Sequence, residues 1–241
     1  MRLDRVLSEL GVGSRSMVRE LVRKKRVSVN GEIAGSVDMQ VPEGAEIRLD
    51  GELLEKPGFI YLMLHKPAGF LTAVTDRKRP VVMELVESKR KDLAPVGRLD
   101  LDTEGLLLIT NDGALAHQLL SPKNRVAKKY YAETDVLIPE NAGEILSKPV
   151  VFKEFTSLPA VFEKISERSA YLTVYEGRFH EVKRLFHAVG CEVTYLKRVA
   201  FGPLELGDLP KSSLRKLTDE EVHKLRDCIS SNGQSISRGN D

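Results

Sequence analysis

Tryptophan is absent from the 241-residue chain, aromatics make up only 6% of it, and there are just two cysteines. Cys191 and Cys228 lie in no paired metal spacing and give no disulfide framework, so a reducing, cytoplasmic setting is the expectation. Long apolar runs are missing too. The stretch from Phe59 to Leu64 falls far short of the ~20 residues a membrane helix needs. The start, MRLDRVLSEL, mixes both signs of charge, unlike a secretory leader. Charge of one sign is lacking overall, because a formal net charge of +2 is too mild to announce a nucleic-acid binder. What is there, 41% hydrophobic and 30% charged residues, suits a globular chain and excludes a wholly disordered one.

The distribution of charge says more than its sum. Residues 1–30 carry eight Lys/Arg against three Asp/Glu, whereas residues 31–60 carry two against seven. Leu3, Val6, Leu7 and Leu10 fall at helical spacing, Gly11 to Gly13 end that helix, and Ser14 reads as the N-cap of a second. In the second helix Val18, Leu21 and Val22 face a core, while Arg15, Arg19 and Arg23 share the outer face and Lys24 extends it. RVSVNGEIAG then alternates around Asn30-Gly31, a two-residue hairpin signal. A solvated helix surface and a phosphate-contacting one both fit this basic face. The stretch RLDRVLSELGVGSRSMVRELVRKKRVSVNG resembles an S4-type RNA-binding domain, which implies RNA as the partner of Arg15, Arg19, Arg23 and Lys24.

The Gly/Pro-containing stretch Asp50 to Gly58 is expected to link this module, residues 1–57, to a second domain over 58–229. Strands are expected at Phe59–Leu64, Leu106–Ile109, in KKYYAETDVLI, at Val161–Ile165 and at Tyr171–Val174, with helices at ALAHQLL and from Glu181. The alternation has no sustained beta-alpha-beta rhythm, so an α+β fold with a mixed, mainly antiparallel sheet flanked by helices is predicted. The polar residues 230–241 are expected to be disordered.

In VGRLDLDTEGLLLITNDG, Asp100, Asp102 and Glu104 stand between an arginine and an apolar run. D-L-D-T-E-G opens like a calcium loop, but the twelfth place, which must bring a bidentate glutamate, is Asn111. Asp100 and Asp102 on an extended chain would sit ~7 Å apart on one face, like a glycosidase pair, as in any D-x-D strand. A structural role also fits, with Asp102 and Thr103 bonding turn amides and Gly105 taking a tight backbone position. His65, His117, His180 and His187 show no metal spacing and read as structural or RNA-contacting; no metal site is expected.

The run Gly97-Arg98-Leu99-Asp100, Asp102-Thr103, Gly105 and the apolar residues beyond it resemble the central motif of pseudouridine synthases, in the branch that modifies ribosomal RNA. The likeness continues in HKPAG (65–69), KKYYAE (128–133) and EGRFHEVKRLFHAVG (176–190), and covers most of residues 60–225. Many family members carry glutamine where this chain has Glu181. The resemblance implies isomerisation of a uridine in ribosomal RNA without a cofactor; a monomer is the expectation. It further implies that Asp100 is the catalytic carboxylate, Lys183 its cationic partner, with Arg184 the second candidate, and Tyr130 the aromatic group of the site. Arg98 is implied to fill the space of an extruded nucleotide. HQLLSPK and VKRLFHAVG look most like the small-subunit branch, whose RNA is 16S within an assembling subunit, with a large-subunit target as the rival. A non-catalytic RNA clamp and a glycosidase are the readings from other classes.

Overall fold

The computed structural model describes residues 1–42, 44–54, 58–88, 90 and 92–236. The chain divides into two compact units, one ending at Phe59 and the other beginning at Ile60.

The first unit starts with helix α1 (Leu3–Glu9), whose Leu3 and Leu7 are fully buried, and helix α2 (Arg15–Arg23). Ser14 caps α2, its hydroxyl accepting from the Met17 N–H at 3.4 Å. Val18, Leu21 and Val22 turn inward and join the buried side of β1 (Val27–Val29). Asn30 and Gly31, both left-handed at φ 51° and 84°, turn β1 into β2 (Glu32–Ile33) as a tight hairpin of the kind that suits strand twist. Asp50 and Gly51 repeat the device, at φ 53° and 85°, between β3 (Ile47–Leu49) and β4 (Glu52–Leu53). The start of the expected linker is therefore a second hairpin, and residues 55–57 lie outside the described ones.

The second unit is built on one sheet. Its strands are β5 (Tyr61–Lys66), β6 (Ala94–Pro95), β7 (Glu104–Thr110), β8 (Lys128–Thr134), β9 (Val161–Ser166), β10 (Ser169–Val174), β11 (Val193–Phe201), β12 (Leu204–Glu205) and β13 (Leu214–Lys216). The main path runs β13-β5-β7-β11-β8-β10-β9, antiparallel throughout except for the parallel β7–β11 pair. The mixed, mainly antiparallel α+β prediction describes it. Helices α3 (Gly113–Leu120), α4 (Ala142–Leu146), α5 (Glu181–Ala188) and α6 (Asp219–Ile236) complete the unit.

Strand β7 is buried along its whole length, and its alternation divides the core. Leu107 and Ile109 face a cluster with Leu172, Leu185 and Phe186, and Leu106 and Leu108 face one with Leu115, Leu119 and Leu225. Gly105, at φ 108°, is obligatory where β7 meets β11: a Cβ there would lie 2.2 Å from the Arg198 carbonyl oxygen. Several elements depart from the sequence-based expectation, α4, β12 and β13 among them. The nine-residue β11 had no counterpart in it, and α6 carries helix through Ile236, so residues 230–236 are not an irregular tail; residues 237–241 lie outside the described ones. Among the described residues no helix is long and apolar enough to cross a membrane.

Candidate active site

The loop leading into β7 is clamped from beneath by Lys66, which ends β5 with its side chain fully buried. The three N–H groups of its ammonium are shared among four backbone carbonyls, those of Pro67 (3.0 Å), Asp100 (3.0 Å), Leu101 (3.3 Å) and Thr103 (2.8 Å). Burial pulls this lysine down to about 8, against the opposing charges of Asp102, Asp100 and Glu104, so it remains mostly charged at neutral pH. The Thr72 hydroxyl donates to the Leu99 carbonyl at 2.8 Å, and the Gly69 N–H to that of Leu101 at 2.8 Å. The backbone around Asp100 is thus held by side chains and main chain together.

The three carboxylates of this segment go to three different places. Glu104 is buried and accepts from the Tyr195 hydroxyl (3.0 Å) and the Lys211 ammonium (2.8 Å). Asp102, 71% exposed at its side chain, accepts from Lys183 through both oxygens at 2.7 Å. Burial pushes the Asp102 carboxyl up, but the Lys183 bonds and charge outweigh it and hold the group below its ordinary value. Asp100 is less exposed, at 29%, and faces the His180 Nε2 at 3.6 Å and the Lys183 Nζ at 3.8 Å. Lys183 therefore bridges two aspartates and bonds the outer one more closely, rather than serving Asp100 alone. Among the described residues no group of acids, histidines and cysteines is arranged to hold a metal ion.

Asp100 opens into a cleft between this loop, β8, β10 and the start of α5, lined by Arg98, Tyr130, Arg178, His180, Glu181 and Lys183 among others. Tyr130 reaches it from β8, 8% exposed. Burial raises its phenol, and the positive charge of Arg198 works against that rise. Tyr131 points to the other side of the strand, its hydroxyl donating to Glu133 at 3.0 Å. Arg98 is exposed at the cleft's edge. Arg184 turns away: it is paired with Glu154 at 2.8 Å and its guanidinium stands 5.6 Å from the centre of the Phe155 ring. In the first unit Arg15, Arg19 and Arg23 are exposed and form no ion pair among the described residues, whereas Lys24 pairs with Glu20 at 2.7 Å.

Several groups at the site had no assigned role in the sequence reading. His180 was read only as structural or RNA-contacting, and it stands beside Asp100 in a left-handed conformation, φ 54°, as the residue preceding α5. Arg198 is 2% exposed; its Nε donates to the Leu106 carbonyl at 2.8 Å, and its Nη2 has no partner among the described residues. Lys128 is brought down to about 8, first by burial and then by Arg198. Glu181 is raised to about 6 by burial, with Glu176 adding to the rise and Lys128 and Arg178 opposing it. The HKPAG motif was the one signal for Lys66, and nothing in local spacing marked Arg198.

Comparison with known proteins converges on one family. Residues 60–188 match the RNA pseudouridylate synthase model, and residues 1–47 match the S4 domain. An uncharacterized RNA pseudouridine synthase of Bacillus subtilis is 40% identical over 94% of this chain and 99% of its own length. The ribosomal small subunit pseudouridine synthase A of Vibrio parahaemolyticus is 36% identical over 93% of this chain and 99% of its own. The ribosomal large subunit pseudouridine synthase B of Bacillus subtilis is 35% identical over 93% and 95%. A crystal structure of a pseudouridylate synthase superposes with a TM-score of 0.68 at 33% identity, covering 93% of this chain and 99% of the other. With both models matched in order and such relatives aligned nearly end to end, the chain belongs to the RNA pseudouridine synthases that carry an S4 domain ahead of the catalytic one.

Proposed function

We propose that this enzyme isomerises a uridine of ribosomal RNA, with Asp100 as the catalytic carboxylate. The N1–C1′ bond of the uridine breaks and a C5–C1′ bond forms; the proton on C5 leaves and N1 gains one. The change is redox-neutral, so no cofactor is called for. The observation that carries the reading is the Asp100 carboxylate, its backbone fixed by Lys66, facing Lys183 at 3.8 Å in the cleft that Tyr130 also lines. Lys183 places a cation beside the carboxylate that would do the chemistry. Tyr130 packs against the base and takes part in moving the C5 proton. Arg98, exposed beside Asp100, occupies the gap left when the nucleotide turns out of its stack, an extrusion that costs a few kcal/mol.

In this reading the S4 unit holds the RNA through Arg15, Arg19, Arg23 and Lys24, and Arg184, engaged with Glu154, takes at most a secondary part. The favoured target is 16S RNA in an assembling small subunit, on the strength of HQLLSPK and VKRLFHAVG, and the enzyme works in the cytoplasm as a monomer. The small- and large-subunit relatives are 36% and 35% identical, so a 23S target stays as the second reading. Mapping pseudouridines in both ribosomal RNAs from cells lacking the protein tests the proposal. Loss of one 16S position, regained on complementation, is the expected result; loss from 23S alone selects the second reading, and unchanged maps contradict both.

A further inference from the structure

The turn between β10 and α5 carries a feature that isomerisation at Asp100 does not use. Phe179 is 67% exposed, the most exposed of the large hydrophobic side chains near the cleft. Its ring lies flat on that of His180, centroids 3.8 Å apart and planes 20° from parallel. The His180 backbone is left-handed, a conformation uncommon outside glycine and frequent at ligand sites. Its Nε2 faces Asp100 at 3.6 Å, so the stacked pair stands beside that carboxylate on one side and ends in an open aromatic face on the other. The cations Arg98 and Arg178 line the same cleft.

An aromatic ring left in water beside a cleft for an extruded nucleotide forfeits the burial that would ordinarily stabilise it. Its exposed face suits a nucleobase, since every base has a π-face and unstacked bases in RNA loops are commonly held on aromatic rings. We propose that Phe179, backed by His180, forms a second base site that stacks a nucleotide adjoining the target uridine. Resting on the reading of Asp100 as the uridine site, the inference adds a contact for a neighbouring unpaired base. Its chemistry is sequence-tolerant stacking, so it selects for an unstacked neighbour more than for a particular base. Phe179 touches a flanking base and not the reacting atoms, which makes it a positioning residue.

The test uses the full chain and an rRNA fragment containing the mapped uridine, with 2-aminopurine placed on either side of that uridine in turn. Pseudouridine formation by the wild type on this fragment checks the reading of the site separately. Fluorescence is read with Asp100→Asn protein, so that no turnover intervenes. The inference expects quenching at one neighbouring position, lost in Phe179→Ala and kept in Phe179→Trp. It also expects KM for Phe179→Ala to rise about 5- to 150-fold with kcat changed little, and Phe179→Tyr to restore it. Quenching that survives Phe179→Ala, or a KM within twofold of wild type, would overturn it. So would a drop in kcat that the tyrosine variant does not repair. Because the side chain is exposed, its removal leaves no core cavity, and the variants can be compared at matched stability.

Discussion

Positive charge is used in two opposite ways in the two units. On the outer face of α2, Arg15, Arg19 and Arg23 stand in solvent with no ion pair among the described residues. Around the cleft, Lys66, Lys128 and Arg198 are each less than a tenth exposed, and each donates to backbone carbonyl oxygens. Exposed cations lose little hydration and act at a distance that salt shortens. Buried ones are costly to desolvate, which is why Lys66 and Lys128 both fall to about 8, and they hold a fixed geometry that salt barely reaches. The first kind is open to a polyanion in the proposed reading; the second fixes the loop that carries Asp100.

The strongest way to break this contrast is at Lys66. Lys66→Met removes the donor shared by four carbonyls, and we expect a loss of about 3 kcal/mol in stability, read from the denaturant midpoint, together with loss of pseudouridine formation in the protein that still folds. The stability loss should be the same at low and high salt. A loss that vanishes in high salt would mean that Lys66 acts as a surface charge.

The exposed side of the comparison predicts the reverse pattern. Replacing Arg15, Arg19 and Arg23 together with alanine should leave stability within about 0.5 kcal/mol of wild type while lowering the slope of log K against log salt for RNA binding by about 2 to 3. An unchanged slope would return this face to simple solvation.

A smaller effect sharpens the description of the buried side. Glu181 is raised to about 6 from an ordinary 4.5, so the folded protein retains a proton that the unfolded chain has released between those values. Stability therefore falls as pH climbs from 4.5 to 6, and the penalty is complete above 6. Glu181→Gln carries no such penalty. The variant should match the wild type below pH 4.5 and exceed it by about 2 kcal/mol above pH 6, measured by thermal or denaturant unfolding across that range. A difference independent of pH would mean that the carboxyl is already ionised in the fold.

Legibility from sequence followed the same division. Where local chemistry decides structure, the sequence was enough: Ser14 as a cap, Asn30-Gly31 as a hairpin and the apolar run into β7 are short-range signals. The failures lie where a charged residue points inward. VTYLKRVAF conceals strand β11 because Arg198 takes an inward position that a hydrophobic pattern would give to an aliphatic residue, and its reward, the Leu106 carbonyl, is 92 residues away in sequence. Lys66 in HKPAG reads as a surface turn for the same reason. In α6 the polar composition of residues 230–236 suggested irregular chain, whereas the helix that begins at Asp219 carries on through them. At the site, the family likeness pointed to Asp100, Tyr130 and Lys183, which line one cleft, but not to Lys183 being shared between two aspartates or to His180 standing opposite Asp100. Those are distances across the fold, set by how the turn before α5 meets the loop before β7.

The central claim is that the carboxylate of Asp100 performs the isomerisation. Asp100→Asn keeps the side chain's size and removes the charge, so single-turnover assay of pseudouridine on ribosomal RNA, with RNA binding measured in the same preparation, tests it most directly. Binding within about threefold of wild type and no detectable pseudouridine is the predicted result. Product accumulating in the Asp100→Asn protein would contradict it.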